Sequence, residues 1–146
     1  MNQDFSLEPF KKYIYIAITI LLIILIGIGI NASIESKNQA AWTAFDQAKT
    51  SEDLTKVFAE HKNSIAGAWI GFSLANKLYS EGKIAQAGKI FREVAEMDKN
   101  YLTPYAMHGC ADSLKSLGKE TEANKYIERI KKDFKNSVPA KLLTKS

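Results

Sequence analysis

The sequence predicts an all-α protein: a single N-terminal transmembrane helix followed by a stack of about three helical hairpins. Three observations predict it. From Tyr13 to Ile34 the chain reads YIYIAITILLIILIGIGINASI, without a charge. The phrase LYSEGKIAQAGKIF at 78–91 returns as LKSLGKETEANKYI at 114–127, 36 positions later. Beyond Ile34 every apolar run has the spacing of a helix.

The 146 residues, 46% hydrophobic and 25% charged with a net charge of +4, suit one modest folded domain. Its single cysteine, Cys110, permits neither an internal disulfide nor a cysteine-based zinc site, so the domain is held by helix packing. The uncharged run makes a helix about 33 Å long, against a hydrocarbon core of about 30 Å. Core helices of soluble proteins seldom stay wholly apolar over such a length. Tyr13, Ile14, Ala17, Gly27, Gly29 and Ile34 are the anchor residues of this reading. A cleaved secretory signal is the rival, with Gly27-Ile28-Gly29 weakly resembling a cleavage site; the length of the run favours a retained anchor. Lys11 and Lys12 flank one end while Glu35 and Lys37 cancel at the other. The positive-inside bias then puts residues 1–12 in the cytoplasm as a short tail and residues 35–146 on the far side. Asn31-Ala32-Ser33 matches a glycosylation acceptor but abuts the membrane, and is read as coincidence.

The recurring phrase pairs Leu78, Gly82, Lys83, Ala87 and Phe91 with Leu114, Gly118, Lys119, Ala123 and Ile127. A second marker keeps nearly the same step: KNSI begins at Lys62, KNYL at Lys99 and KNSV at Lys135. Such periods mean stacked supersecondary units, here helical hairpins over 35–137. In one unit Ile65, Ala68, Trp69, Phe72, Ala75 and Leu78 make a first apolar face, and Ile84, Ala87, Phe91 and Val94 a second. In the next, Tyr105, Gly109, Leu114 and Leu117 face Ala123, Tyr126, Ile127, Ile130 and Phe134. Gly82 falls where a helix must stop and is expected in the left-handed conformation. Ala87 is expected small because the two helices cross closely there. Pro104 suits a first helical turn. An N-terminal hairpin, 39–48 then 52–61, carries Trp42, Phe45, Leu54, Val57 and Phe58. Residues 138–146 read as a basic tail: the stretch KKDFKNSVPAKLLTKS holds five lysines and one aspartate, a solvated, frayed end.

Gly82, Ala87 and Phe91, with Leu74 and Ala75 upstream, resemble the tetratricopeptide repeat (TPR) pattern; Gly118, Ala123 and Ile127 repeat it more weakly. Gly71 and Leu78 stand where that family usually has Trp and Tyr, and the period is 36 rather than 34. The layout of tail, anchor and hairpins is similar to the YfgM-type ancillary translocon subunits of bacteria and to other membrane-tethered TPR proteins. The resemblance implies a bacterial inner-membrane protein with a cytoplasmic N-terminus and a periplasmic domain. It also implies a non-enzymatic adaptor or assembly factor that binds other membrane or envelope proteins. A permanent accessory subunit of a large membrane complex is the alternative.

No catalytic constellation competes with that reading. GKIAQAGKI lacks the glycine spacing and the hydroxyl residue of a phosphate-binding loop, and it reads as helix. His61 and His108 lie in different hairpins without a nearby carboxylate pair at ligand spacing, so neither a metal nor a cofactor is expected. Cys110 reads as a buried, inert thiol. Near-balanced charge argues against nucleic acid, and no small-molecule substrate is expected. Stacked hairpins bind partners on the concave face lined by first helices. The candidates there are Trp69, Phe72, Asn76, Tyr79, Tyr105, His108, Asp112 and Lys115. Core filling is the equal alternative for Trp69 and Phe72. TPR proteins that clamp a peptide carboxylate use a Lys and an Asn four apart. Phe72 stands where that Lys would be, beside Asn76, so no such clamp is expected. Circular dichroism of a 35–146 fragment in detergent-free buffer should show an almost wholly helical spectrum; a β-rich or unfolded one would end the helical-stack reading.

Overall fold

Every element of the computed structural model, which describes residues 11–97 and 101–144, is an α-helix. In order these are α1 (Lys11–Gln47), α2 (Ser51–His61), α3 (Gly67–Ser80), α4 (Ile84–Glu96), α5 (Thr103–Ser116), α6 (Glu120–Asp133) and α7 (Val138–Leu143). Residues 1–10 of the expected tail, and Lys99 and Asn100 of the KNYL marker, lie outside the described residues. The chain divides into two compact units, the first ending at Lys37 and the second beginning at Asn38.

In the first unit α1 is long and apolar enough to cross a membrane, with a mean hydropathy of 2.8 over 18 residues, none of them buried. Tyr13, Ile14 and Ile34 are exposed, and a Cβ built on Gly27 or Gly29 meets nothing within 4 Å. The separate helix expected from residue 39 is not separate. Between Ile34 and Gln47 the sequence has neither Gly nor Pro to stop a helix, and α1 continues through.

The second unit packs consecutive helices against one another from α2 to α7. Thr50 starts α2 with a capping box: its hydroxyl accepts from Asp53 N at 3.1 Å, and Asp53 Oδ2 accepts from Thr50 N at 3.1 Å. The two hairpins α3/α4 and α5/α6 are copies in register. Both first helices have 14 residues, and their starts, like those of the second helices, are 36 positions apart.

Their turns explain the recurring phrase. Gly82 and Gly118 have φ of 76° and 74° and are the positive-φ residues among those described. The Gly82 N–H donates to Tyr79 O at 3.0 Å and the Lys83 N–H to Leu78 O at 2.9 Å. The Gly118 N–H donates to Lys115 O and the Lys119 N–H to Leu114 O, both at 2.9 Å. This pair of bonds is the Schellman motif, which satisfies carbonyls that a helix end leaves orphaned. Lys83 and Lys119 then serve as N-caps: their carbonyls accept from Ala87 N and Ala123 N, each at 3.0 Å. Leu-x3-Gly-Lys-x3-Ala therefore ends one helix, reverses the chain and opens the next. Ala87 and Ala123 are fully buried where the helices meet.

The core is a single cluster running from Ala41 and Phe58 through Ile70, Leu74, Phe91, Val94, Met107 and Ile130 to Ala140. Three sequence expectations need correcting. On α3 the buried stripe is Gly67, Ile70, Gly71, Leu74, Ala75 and Leu78, so Ile65 and Trp69 fall outside it, 72% and 46% exposed. On α5 Leu117 is exposed past the helix end, and Ala106, Met107, Cys110 and Leu114 form the face. The 138–146 segment is not simply a tail, because α7 forms in it and buries Pro139 and Ala140. On α3 half of the buried stripe is Gly and Ala, which carry little hydrophobic signal beside Ile65 and Trp69.

Gly71 is small for a different reason from Gly82. A Cβ there would sit 2.5 Å from the Phe58 ring and 2.6 Å from Val94 Cγ2. Gly71→Ala should cost about 1–3 kcal/mol through overpacking. Gly82→Ala, where space is free but φ is positive, should cost about 1–2 kcal/mol through backbone strain. Asparagine separates the two causes: Gly82→Asn should melt close to the parent, and Gly71→Asn well below Gly71→Ala, in thermal unfolding of the full chain in mild detergent.

Candidate functional site

Helix α3 touches α5, and α5 touches α7, so α3, α5 and α7 lie side by side in the second unit. A groove of about 280 Å3 runs along it. Phe72, Asn76 and Tyr79 of α3 line it, with Tyr105, His108, Gly109 and Asp112 of α5, Val138, Pro139 and Leu142 of α7, and Phe91 from α4.

The floor is aromatic. Phe91, 3% exposed, meets Phe72 edge-on with ring centroids 5.7 Å apart and planes at 64°. Phe91 lies over Gly109, where a Cβ would come within 2.7 Å of its ring. The sides are polar. The Tyr79 hydroxyl shares a hydrogen bond with Ser116 Oγ at 3.2 Å, tying α3 to α5. Asn76 Nδ2 donates to Phe72 O one turn back, at 3.0 Å. Tyr105 pairs with Tyr101 through hydroxyls 3.4 Å apart, and this bond holds the Tyr105 phenol above its ordinary range. His108 Nδ1 lies 3.1 Å from Asp112 Oδ2. That hydrogen bond raises the His108 pKa; partial burial and Lys115 oppose it.

Six of the eight residues singled out in the sequence thus line one groove: Phe72, Asn76, Tyr79, Tyr105, His108 and Asp112. Trp69 and Lys115 do not line it, although both belong to first helices. Phe91, Gly109 and the α7 residues were missed. For α7 the signal was present: KNSV at Lys135 is the third occurrence of a marker whose first occurrence, at Lys62, is soon followed by α3. Ser137 then caps α7, accepting from Ala140 N at 3.3 Å, and Pro139 sits in its first turn as Pro104 does in α5.

Other features of the phrase are absorbed by packing. Lys83 Nζ is 2.9 Å from Glu81 Oε2, which also accepts from Ser51 Oγ at 2.8 Å. Those two bonds hold the Glu81 carboxyl below its usual pKa and link the α3/α4 turn to the start of α2. Gly88 lies inside α4 facing Ser113 of α5. Cys110 is fully buried, and burial pushes its thiol pKa up.

No family model, curated protein or solved structure matches the chain.

The raised His108 pKa has a sign that can be checked. The groups facing it are Asp112, which favours the imidazolium, and Lys115, which opposes it. The stability His108 contributes is present below its ordinary value of 6.5 and is lost as pH rises through the higher folded value. NMR titration should place the His108 midpoint above 6.5, and Asp112→Asn should bring it down.

Proposed function

We propose that the chain is a membrane-anchored, TPR-like adaptor or assembly factor that holds a segment of another membrane or envelope protein in the α3–α5–α7 groove. One observation carries this reading: the first helices of two in-register hairpins bring Phe72, Tyr79, Tyr105 and His108 to a single concave surface with an aromatic floor and polar sides. Such a combination suits peptide recognition, in which buried aromatic groups anchor and polar groups orient. The TPR-like character rests on the duplicated glycine turns, the buried small residues Ala87 and Ala123, and the contacts of α3 with α5 and of α5 with α7. The anchor is α1, and Lys11 and Lys12 favour a cytoplasmic N-terminus with the second unit on the periplasmic side of a bacterial inner membrane. The chemistry of the groove is that of binding, and no enzymatic role is assigned to it.

A second reading makes the protein a permanent subunit whose α1 packs on other transmembrane helices. Its support is the small residues Ala17, Gly27 and Gly29 in the apolar run, which permit close helix approach.

Affinity capture of the full chain from native membranes in mild detergent tests both. Replacing both Tyr79 and Tyr105 by Ala should reduce capture about tenfold or more, since an anchor contact is worth about 1–2 kcal/mol. Unchanged capture by a variant with a normal melting temperature would reject the groove. A stoichiometric, salt-resistant complex that survives this replacement would favour the subunit reading.

A further inference from the structure

The hairpin turns account for the glycines of the recurring phrase but not for all of its lysines. Lys83 pairs with Glu81, whereas Lys89 and its counterpart Lys125, 36 positions later, are in no ion pair among the described residues. Lys125 lines a cavity of about 330 Å3 between α4 and α6, both of which pack on α5. Arg92 of α4 lines it too, with Glu122, Tyr126 and Arg129 of α6. None of these five residues lines the groove. A second cavity, of about 220 Å3, shares Arg92 and is lined also by Lys89 and Lys119.

Three cations against one carboxylate is an unbalanced lining. Glu122, Lys125, Tyr126 and Arg129 recur at helical spacing and share one face of α6. Lys125 and Arg129 are like charges one turn apart, an arrangement that weakens a helix unless something neutralises it. The nearby carboxylates are engaged elsewhere: Glu122 lies 3.9 Å from Lys119, Glu128 3.5 Å from Lys131 and Glu93 3.5 Å from Lys62. Glu96 and Asp133, one turn beyond Arg92 and Arg129, do not line the cavity. Arg92, Lys125 and Arg129 thus form no ion pair among the described residues.

The lining names the charge that fits it. Three cations and one carboxylate leave two positive charges in excess, and a phosphate group carries about −1.5 to −2 at pH 7. A single carboxylate would neutralise only half of that excess. Arginine presents paired N–H donors that match phosphate oxygens, and lysine adds a point charge. Burial raises the Tyr126 phenol pKa, so its hydroxyl stays protonated and is a further donor. We propose that Arg92, Lys125, Tyr126 and Arg129 form a binding site for a phosphate group. The site does not rest on the adaptor reading, and it gives the chain a ligand that its sequence does not predict.

The test is calorimetric titration of the full chain in non-ionic detergent with inorganic phosphate, at constant ionic strength. The expected result is saturable binding, one phosphate per chain. Arg92→Gln combined with Arg129→Gln should weaken it about tenfold or more, since each removes charge-assisted hydrogen bonds. Glu122→Gln should strengthen it, because the opposing carboxylate is gone. Lys131→Gln, at a lysine outside the cavity, should leave it unchanged. A second arm places the chain in phosphatidylcholine nanodiscs with or without phosphatidic acid. If phosphatidic acid abolishes the binding of added phosphate, the natural source is a lipid headgroup; if phosphate still binds, it is a soluble phosphate compound. Absence of saturation would overturn the site. So would equal binding by the double variant and the parent at matched melting temperature, which would mean screening of surface charge only. Binding of an oligoglutamate peptide without binding of phosphate would overturn it in favour of an acidic protein segment.

Discussion

The architecture of the second unit depends on two backbone reversals, each made possible by a glycine at positive φ. At Gly82 and Gly118 the chain ends one helix and begins the next within three residues. So short a turn leaves the second helix one course: back along the first, at contact distance. Side chains larger than a methyl group would hold such helices apart, and Ala87 and Ala123 occupy those levels. Because both reversals are alike and both first helices have the same length, α3 and α5 emerge on the same side. The groove is a consequence of this registration.

The core and the groove share residues rather than dividing them. Gly109 gives up its side chain so that Phe91 can cross above α5, and Phe91 in turn supports Phe72 from beneath. The floor of the groove is thus the outer surface of the hydrophobic core, held by contacts that also stabilise the hairpin. Ser113, fully buried on α5, satisfies its hydroxyl by donating to Gly109 O at 2.8 Å, so the polar group next to this crossing imposes no unpaired-donor cost. A substitution at Phe91 would affect the fold and the shape of the groove together, whereas Asn76 and Tyr79 reach the groove with less of the core behind them.

Helix content, the period of the two later hairpins and their glycine turns were legible in the sequence, because repetition separates geometric requirement from chance. Most of the groove was legible too, since first helices and their polar–aromatic residues could be named from periodicity. What was hidden had physical causes. The buried stripe of α3 uses Gly67, Gly71 and Ala75, which carry little hydrophobic signal, while the neighbouring Trp69 carries much and points elsewhere. The continuity of α1 through residues 35–47 was obscured by a change in composition, from apolar to mixed, that does not change helix propensity. In the C-terminal stretch the lysines suggested a solvated end, and they outweighed the cap and proline that announce α7. Phe91 was recognised as a packing residue but not as part of the groove, because its role depends on the absence of a side chain at Gly109, on a different helix.

Helix α7 gives the groove an uneven mechanical character. Six residues are too few to sustain a helix in water, so α7 is ordered by its contacts with α5 and α6 and not by its own propensity. The other two walls are 14-residue helices locked into the core on both sides of the α4 crossing. One wall is therefore fastened much more lightly than the rest, and local opening draws on the least stable element first. Val138 and Leu142 are more than half exposed, so α7 is held to the core by Pro139, Ala140 and Leu143. The concave face therefore has two walls built into the core and a third pinned to it by a few small contacts.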